Sequence, residues 1–519
     1  MLLLWLACGR PDPAPPAPAA CADPARRAVE AFDSTVVATT EPAPEHRFLG
    51  GGLAIADLDG DGVLDLVLPG PATLTLLLGN GDGTFRPAPF DAVPARDYAD
   101  AVGASAADYD GDGALDLFVS RYPSENVLLH NRGDGAFDDV TKASGLALSF
   151  HSHSAAWGDY DRDGWLDLVV AGRGEPRLEG DLAVVDTPGD PTRLYRNRGD
   201  GTFEDRTADL PAAATDGYTF VASFVDLDAD GRLDLYFAND YPGWQTGLVV
   251  WNRALGWVAD DGSAGLNAAV AGMGLGLGDA TGDGRDDVLL PAWDRLHWLE
   301  STPNGWVDAT AARGLSPLPT PDEAWVGWGA ELADLDNDTF LDAWVAFGHL
   351  DTLADTTPQG GDATNAETER DLVWAGGPAG FEDVTDAWGI DDPGVGRGLA
   401  VADLDGNGWP DVVTRDLDGP VRVHLGRCGT AGWTQVALDD AGPNRFGIGA
   451  VVRLWTAAGI QQRTVRAGGT GLLSSGPPVV HFGLGSAGAV DRLEVTWPDG
   501  ETMAVEGPFE PRQEVVLSR

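Results

Sequence analysis

A nine-residue acidic loop recurs along the chain, and its residue types and spacing could hold a divalent cation. The first copy, residues 57–65, places carboxylates at positions 1, 3, 5 and 9 and a glycine at position 6 (DLDGDGVLD). Alternate side chains of such a loop converge on one ion, and the glycine permits the sharp turn between them. Oxygen-only ligands favour Ca²⁺ over Zn²⁺ or Mg²⁺. The loop therefore predicts a calcium site. A simple Asp/Gly turn is the competing interpretation, and the mutual repulsion of four carboxylates argues against it.

The loop occurs seven times, at spacings of 51, 51, 67, 53, 55 and 69 residues. Up to seven calcium ions are therefore expected. The candidate ligands are Asp57, Asp59, Asp61 and Asp65; Asp108, Asp110, Asp112 and Asp116; Asp159, Asp161, Asp163 and Asp167; Asp226, Asp228, Asp230 and Asp234; Asp279, Asp283 and Asp287; Asp334, Asp336, Asp338 and Asp342; and Asp403, Asp405, Asn407 and Asp411.

The seven copies differ in completeness. The fifth copy has Thr281 at position 3, so it is expected to be empty or to use Asp286. The sixth has Thr339, a β-branched residue poorly suited to positive φ, at the glycine position. The seventh has the neutral Asn407 at position 5, which should weaken binding. All four acids and the glycine are present in the copies at 57–65, 108–116, 159–167 and 226–234, where we expect the strongest sites.

The loop departs from an EF-hand after position 6. An EF-hand needs a bidentate glutamate at position 12, where the first three copies have Leu68, Val119 and Val170. The last acid falls instead at position 9, as expected if the loop joins two β-strands. The ion would then stabilise the base of a hairpin. We expect the site to bind it with the affinity of extracellular modules, a Kd of about 10⁻⁴ to 10⁻³ M.

The repeat predicts an all-β fold. Each period contains four short apolar segments and two Gly-rich turns, and four-stranded units at about 50 residues are typical of the blades of a β-propeller. A calcium-binding β-helix has coils of about nine residues, which do not explain this period. The sequence predicts a seven-bladed β-propeller over residues 28–428. The alternation and Gly-rich turns of residues 430–519 predict a small C-terminal β domain.

The seventh repeat lacks its outer strand, and the missing strand is predicted at the other end of the propeller. An aromatic residue follows the second turn in six repeats but not in the seventh. Residues 31–40 resemble the outer strand of the second repeat and are expected to close the ring. Cys21 and Cys428 flank this closure from its two sides, so a disulfide between them is predicted. Two unrelated thiols are the alternative.

The N-terminal residues 1–27 are interpreted as the end of a truncated export signal followed by a Pro/Ala-rich tether. The segment WLAC ending at Cys8 resembles the lipobox of bacterial lipoproteins, in which the cysteine is lipidated. We expect an outer-surface or periplasmic lipoprotein; ordinary secretion and an incidental apolar start on a cytosolic protein are the alternatives.

The charge limits the partners. With 33 basic and 82 acidic residues the net charge is -49, which repels phosphate backbones and anionic lipid headgroups. Nucleic-acid binding is excluded on this ground, and contact with a membrane is expected only through a lipid anchor. A monomer is expected.

The repeats resemble the FG-GAP/VCBS repeats of integrin-α-like propellers, on the seven loops and on turns such as residues 197–205 (NRGDGTFED). The tail resembles an ASPIC/UnbV domain, on residues 444–450 (NRFGIGA), 468–475, 481–485 (HFGLG) and 491–500 (DRLEVTWPDG). The pair of modules is similar to the cartilage-acidic-protein-like family. The resemblance implies an extracellular, calcium-binding protein with a role in adhesion.

Several other residues are candidates for function. His151 and His153 could form a metal pair or an acid/base group, and His349 is a similar candidate. Asn239-Asp240-Tyr241 could contact a ligand on a face of the ring. The Arg-Gly-Asp tripeptides at 132–134 and 198–200 lie in a repeated turn and are interpreted as coincidental. Trp157, Trp165, Trp325 and Trp328 could form a sugar-stacking platform, although core packing is the favoured interpretation.

The favoured function is a non-enzymatic, calcium-stabilised binding or adhesion protein outside the cytoplasm, with a protein or polysaccharide partner. The alternative is a calcium-dependent polysaccharide lyase or hydrolase whose site lies on the propeller axis, since propeller enzymes assemble sites from several blades. No catalytic motif singles out a residue for the second interpretation.

Overall fold

A computed structural model describes most of the chain. The described residues are 32–39, 50–70, 73–89, 91–175, 177–179, 182–293, 295–315, 325–349, 369–390, 392–417, 419–426 and 429–519. Cys8, Cys21 and Cys428 lie outside them, so the predicted lipidation and disulfide stay predictions.

Seven four-stranded antiparallel sheets form the blades of a β-propeller, which confirms the predicted fold class. The strands, from the axis outward, are: blade 1, Ala54–Ala56, Asp65–Pro69, Leu74–Gly79 and Phe85–Pro87; blade 2, Ala101–Ala107, Asp116–Arg121, Val127–Asn131 and Phe137–Asp139; blade 3, Ser152–Gly158, Asp167–Gly172, Arg193–Asn197 and Phe203–Asp205; blade 4, Thr219–Val225, Asp234–Asn239, Leu248–Arg253 and Gly256–Ala259; blade 5, Gly276–Gly278, Asp287–Ala292, Arg295–Thr302 and Gly305–Asp308; blade 6, Gly327–Ala333, Asp342–Phe347, Leu372–Ala375 and Glu382–Asp383; blade 7, Gly396–Ala402, Asp411–Asp416, Pro420–Gly426 and Phe32–Thr39.

Burial follows position in the blade. The first strand of blade 2, Ala101–Ala107, consists of Ala, Gly, Ser and Val and is buried throughout. The second strand, Asp116–Arg121, is also buried throughout, because it is covered by neighbouring blades on both faces. The outer strand, Phe137–Asp139, buries only its aromatic residue. The short elements between blades 2, 3 and 4 are one helical turn, Thr141–Ser144, and two 3₁₀ turns, Thr207–Asp209 and Ala212–Ala214.

A separate hydrophobic cluster lies between each pair of neighbouring blades. The cluster between blades 2 and 3, for example, joins Phe118 to Trp157 and Leu168. The cluster between blades 7 and 1 joins Val413 to Leu66, so the ring is closed. Five further clusters fill the spaces between the other neighbouring pairs of blades.

The strand Phe32–Thr39 supplies the fourth strand of blade 7. It runs antiparallel to Pro420–Gly426, with Phe32 opposite Gly426 and Thr39 opposite Pro420. Phe32 is buried and packs edge-on against Trp344 of blade 6, with ring centroids 5.4 Å apart. The N-terminal strand therefore contacts the blade next to the one it completes.

Three buried asparagines connect four successive blades. Asn131 Nδ2 donates hydrogen bonds to the carbonyl of Leu115 in its own blade (2.9 Å) and to that of Leu58 in blade 1 (2.8 Å). Asn197 makes the same pair of bonds from blade 3 to blade 2, and Asn252 from blade 4 to blade 3. These amides fix the spacing of neighbouring acidic loops.

The C-terminal residues form a second β unit. Its two sheets have the strand orders Val479–Gly485, Gly432–Asp439, Gln513–Ser518 and Gly459–Thr464, Val451–Thr456, Val490–Thr496, Thr502–Phe509. Their facing apolar residues make one core that includes Val452, Phe482 and Trp497. A further short strand, Ala467–Gly468, leaves this unit and pairs with the first strand of blade 3. A hairpin of Arg177–Glu179 and Leu182–Val184 extends from blade 3.

Candidate metal loops and the axial plug

All seven acidic loops lie at one end of the ring, because each connects the first strand of a blade to the second. In every blade the acid at position 9 is the first residue of the second strand. We call this end the acidic-loop face.

The loops share one backbone conformation despite their different sequences. Position 6 has positive φ in all seven, from 78° at Gly408 to 94° at Gly113 and Thr339. Position 4 also has positive φ in all seven, including Arg162, Ala229 and Asn337, where no glycine relieves the strain. The positive φ at position 4 was not predicted from the sequence, because four of the seven residues there are glycine and the other three share no residue type.

The Thr339→Gly substitution is expected to raise the free energy of unfolding of the metal-free chain by about 1 kcal/mol. Thr339 has a φ of 94°, a conformation that costs an L-residue about 1–2 kcal/mol and glycine almost nothing. Urea unfolding in EGTA measures the gain. Thr281→Gly is the matched control, because Thr281 lies in an equivalent loop without positive φ and should lose stability instead. If the Thr339→Gly chain is no more stable than the parent chain, the backbone at Thr339 is not strained.

The carboxylate at position 1 accepts hydrogen bonds from backbone amides of its own loop. Asp108 Oδ2 accepts a hydrogen bond from the amide of Gly113 (2.9 Å), and its Oδ1 accepts one from Asp112 (3.1 Å). The bond from position 6 to position 1 recurs in the other six loops at 2.8–3.0 Å. Each loop is thus organised around its first acid.

The acid at position 9 connects the loop to the third strand. Asp116 Oδ2 accepts the amide of Tyr109 (3.2 Å), and Oδ1 accepts the amide of Asn131 (2.7 Å). The same two bonds are made by Asp65, Asp167, Asp234, Asp287, Asp342 and Asp411. Position 9 therefore has a structural role in the blade as well as a place beside the candidate ion.

These acids are costly to ionise in the folded chain. Burial, and then the neighbouring acids of the loop, raise the pKa of Asp65 to about 6 and that of Asp234 to about 8, against the lowering effect of their backbone hydrogen bonds. Burial likewise raises the pKa of Asp108 to about 6 and places that of Asp342 well above its usual value. A divalent cation would remove this cost by supplying the missing positive charge.

The donor set fits a hard cation. Carboxylate oxygens from three residues lie within 4.8 Å of one another in the loops of blades 1 to 4. The groups are Asp57, Asp59 and Asp61; Asp108, Asp110 and Asp112; Asp159, Asp161 and Asp167; and Asp226, Asp228 and Asp230. These are the four loops with complete sequences, and oxygen donors at such spacing suit Ca²⁺.

Basic side chains lie next to the acids of three loops. These contacts were not predicted from the sequence. Arg196 of blade 3 forms an ion pair with Asp161 and lies 2.5 Å from Asp163, and Arg253 of blade 4 pairs with Asp228. His130 of blade 2 lies beside Asp110 and Asp116. The signal that would have found them is their place at the end of the third strand, one position before or after the asparagine that connects the blades.

The C-terminal unit covers the loops of blades 5, 6 and 7. Gln435 Nε2 donates to Asp403 (3.0 Å), Gln462 Nε2 donates to the carbonyl of Gly284 (3.0 Å), and a ring nitrogen of His481 lies 2.6 Å from Asn337 Oδ1. Asp286, the expected substitute ligand of the fifth loop, forms an ion pair with Arg466. All three incomplete loops thus have a polar partner from the C-terminal unit.

A segment of the C-terminal unit, residues 467–475, fills the axis of the ring. It bonds to first strands or adjoining residues in five blades: Ser475 with Leu53 and Ile55, Leu473 with Ala104, Gly468 with Ala156, and Gly471 with Leu275 and Ala330. The segment also lies close to the first strands of the other two blades. In blade 4, a Cβ placed on Gly469 would be 2.7 Å from Ser223 Oγ. In blade 7, a Cβ placed on Gly398 would be 2.8 Å from Ser474 Oγ. A segment that touches all seven blades must lie on the axis. We call it the axial plug.

The axial plug is buried and apolar at its tip. Leu472 and Leu473 are 1% and 2% exposed and belong to the cluster of Tyr122, Phe220 and Trp328. The chain's own side chains therefore occupy the axis at the level of the inner strands, and the alternative of an enzyme with its site on the axis stays a prediction.

Below the axial plug a cavity of ≈ 590 Å³ separates the ring from the C-terminal unit. Glu331, Arg463, Arg466 and Thr470 line it. Burial raises the pKa of Glu331 to about 7, while a hydrogen bond with Thr470 opposes the shift. Arg466 of the C-terminal unit and Asp286 of blade 5 also line the cavity, where they form an ion pair between the two units.

The two candidate histidines of blade 3 lie in different environments. His153 is fully buried, with Nδ1 2.9 Å from the carbonyl of Phe220, and burial lowers its pKa to about 3. His151 is part-exposed, with Nδ1 2.7 Å from Asp190 Oδ2; this pairing raises its pKa. His153 is therefore a core histidine, and only His151 is accessible to a ligand.

The remaining candidates serve packing or turns. Asp240 pairs with the buried Arg173 at 3.1 Å, and the carbonyl of His349 accepts a hydrogen bond from Arg397 (3.3 Å). Arg132 of the first Arg-Gly-Asp turn pairs with Asp138. Trp157, Trp325 and Trp328 are buried and cannot stack on a sugar; Trp165 is half-buried.

Comparison with known proteins agrees with this architecture. Residues 57–119, 108–170 and 180–237 match the FG-GAP-like repeat family, and residues 440–518 match the ASPIC and UnbV family. Three stretches of the propeller thus match FG-GAP-like repeats and the C-terminal unit matches the ASPIC and UnbV family, in agreement with the resemblance seen in the sequence.

The chain is homologous to cartilage acidic protein 1. It is 26% identical to the human protein over 489 residues, which is 88% of this chain and 70% of that one, and 26% identical to the mouse protein over 493 residues, 88% and 71% of the two chains. Among solved structures it is similar to an Agrocybe aegerita lectin that recognises non-reducing terminal N-acetylglucosamine, with 16% identity over 71% of this chain and 87% of that one, and a TM-score of 0.39. No helix among the described residues is both long and apolar enough to cross a bilayer.

Proposed function

We propose that this chain is an extracellular, calcium-stabilised protein of the adhesion type, which binds a protein or polysaccharide partner without changing it chemically. The axial plug is the observation that carries this function, because it fills the place where a propeller assembles a pocket from several blades. The FG-GAP repeats and the homology to cartilage acidic protein 1 support an extracellular location.

The partner is expected on the face opposite the acidic loops. The ASPIC/UnbV domain covers part of the acidic-loop face, through contacts such as those of Gln462, His481 and Arg466 with blades 5 and 6. On the opposite face Trp244 and Trp293, from the neighbouring blades 4 and 5, are 37% and 46% exposed. Exposed aromatic side chains are the commonest anchors of binding surfaces, since they bury much apolar area at small entropic cost.

A glycan and surface-protein array, probed with the full chain in calcium and in EGTA, tests the function. We expect retention in calcium, recovery of the ligand unchanged, and at least ~10-fold weaker binding by the Trp244→Ala/Trp293→Ala double variant. Leu255→Ala is the matched control, because Leu255 is fully exposed at an outer turn of blade 4. Unsaturated product absorbing in the ultraviolet, or new reducing ends, would reverse the conclusion in favour of a lyase or hydrolase.

A further inference from the structure

The cavity between the ring and the ASPIC/UnbV domain is open to solvent and large enough for a small molecule. Its volume of ≈ 590 Å³ falls within the range of about 300–1,000 Å³ that is usual for ligand pockets. Gly62 of blade 1, Gly406 of blade 7 and Val479 of the ASPIC/UnbV domain line it and are exposed. The cavity therefore opens between these two blades and the domain, on the acidic-loop face and away from the surface where we expect the macromolecular partner.

Arg463 brings a positive charge to the wall of this cavity without a carboxylate partner. Its Nη1 donates a hydrogen bond to the carbonyl of Gln462 (2.8 Å), and its Nη2 donates one to Gln461 Oε1 (3.2 Å). Within the described part of the chain it forms no ion pair. Burial lowers the pKa of Arg463, although the charge of Asp334 opposes the shift. The surrounding acids thus do not offset the cost of burying this guanidinium, even in a chain with 82 acidic and 33 basic residues.

Two further polar atoms of the cavity wall lack a partner among the residues that the structure describes. Arg466 is paired with Asp286, yet its buried Nε makes no hydrogen bond. Gln462 is 8% exposed; its Nε2 donates to the carbonyl of Gly284 (3.0 Å), whereas Oε1 accepts nothing. Buried polar atoms of this kind are costly unless something bonds to them. A water molecule could bond to either atom, but it could not neutralise the guanidinium of Arg463.

The acids of the cavity wall are better satisfied than its arginines. Asp334 accepts a hydrogen bond from the amide of Thr339 (2.9 Å), and Asp403 accepts one from the amide of Gly408 (2.8 Å). Burial raises the pKa of Glu331 to about 7, so a large share of this carboxyl is neutral near pH 7 and can donate a hydrogen bond. The groups that remain to be satisfied are therefore mainly donors, which suits an anion.

We propose that the cavity binds a small hydroxylated carboxylate, such as a uronic acid, with its carboxylate on Arg463 and Arg466 and a hydroxyl group on Gln462 Oε1. A guanidinium pairs with a carboxylate through two parallel hydrogen bonds. The amide oxygen needs a donor, which a hydroxyl group has and a carboxylate lacks. Leu332 and Val480 in the same wall can pack against the ring of such a ligand. This site is additional to the proposed macromolecular partner and does not depend on it.

Isothermal titration calorimetry of the calcium-saturated full chain with D-glucuronate tests the site, with D-glucose as the uncharged comparison. We expect one equivalent of glucuronate to bind at least ~10-fold more tightly than glucose. Arg463→Gln should weaken glucuronate binding ~10-fold or more, because hydrogen bonds to charged groups are the strong ones. Arg453→Gln is the matched control, since Arg453 belongs to the same domain and pairs with Glu494 but does not line the cavity. Melting in calcium checks that both variants fold.

Phenylglyoxal modification of the unaltered chain, mapped by mass spectrometry, gives a result that needs no variant. Glucuronate should protect Arg463 from the reagent and leave the reaction of Arg132, which is half-exposed and outside the cavity, unchanged. Four results would each overturn the assignment: no saturable binding of glucuronate to the parent chain, equal affinities for glucuronate and glucose, unchanged affinity in Arg463→Gln, or no protection of Arg463.

Discussion

Removal of divalent cations with EGTA is expected to lower the Tm of the full chain by ~10 °C or more at pH 8. An ion that binds only the folded state stabilises it by about 2.7 kcal/mol per site at a hundredfold excess over Kd, and four loops have a complete ligand set. Several such sites lost together correspond to a shift on the order of 10 °C in a chain of this size. Circular dichroism melts in Ca²⁺ and in EGTA measure it.

The size of this effect should depend on pH. Burial raises the pKa of Asp65 to about 6, that of Asp116 to about 7 and that of Asp234 to about 8. In the unfolded chain these carboxyls ionise near pH 4. The metal-free folded state therefore binds more protons between pH 4 and 8, and its stability falls as the pH rises through that window. Bound calcium keeps the carboxylates ionised, so the difference in Tm should be small at pH 5 and large at pH 8.

Two controls define the calcium effect. Asp134→Asn removes an exposed acid from a turn outside the loops and should leave the difference in Tm unchanged. Asp226→Asn removes the acid that organises the fourth loop and should reduce it. Equal Tm values with Ca²⁺ and EGTA at pH 8 would show that the loops fold without an ion.

Leu472→Ala is expected to lower the free energy of unfolding by about 2–5 kcal/mol, as for other buried leucines. Leu472 is 1% exposed and packs in the cluster that also contains Leu275 of blade 5 and Trp328 of blade 6. Because neighbouring blades surround the axial plug, the surroundings have little freedom to collapse into the cavity. The urea midpoint of the calcium-saturated full chain measures the loss.

Ile460→Ala is the matched control for the axial plug. Ile460 belongs to the same ASPIC/UnbV domain but is 56% exposed, so its loss should change the stability by no more than about 0.5 kcal/mol. Equal urea midpoints for Leu472→Ala and the parent chain would mean that the axis is not filled as described.

Much of the ring follows from local patterns. The position-9 acids mark the starts of the second strands because a carboxylate there can bond both to its own loop and to the third strand, as Asp116 does with Tyr109 and Asn131. The number of blades follows from the number of loops. The strand Phe32–Thr39 could be placed in blade 7 because its sequence pattern repeats that of a complete blade.

The axial plug and His130 could not be read in the same way. The plug is a Gly-rich segment with two adjacent leucines, Leu472 and Leu473, and its partners lie up to some four hundred residues away in the sequence, as for Ser475 with Ile55. No local sequence pattern indicates contacts over such a separation. His130 stands at a strand position that is Leu, Arg, Trp, Glu or Ala in the other blades, so no common residue type indicates that it lies beside Asp110.

The axial plug also constrains the order in which the molecule can assemble. Blades 1 to 6 each consist of contiguous hairpins and need only local contacts, but the last strand of blade 7 joins Phe32 to Gly426, and the axis is filled only by residues 467–475. Such long-range closures are slow steps, since much chain entropy is lost before the contacts form. The ring must remain open at its centre during synthesis until almost the whole polypeptide is available, so completion of the core is a late event and premature termination before Ser475 leaves an unfilled channel.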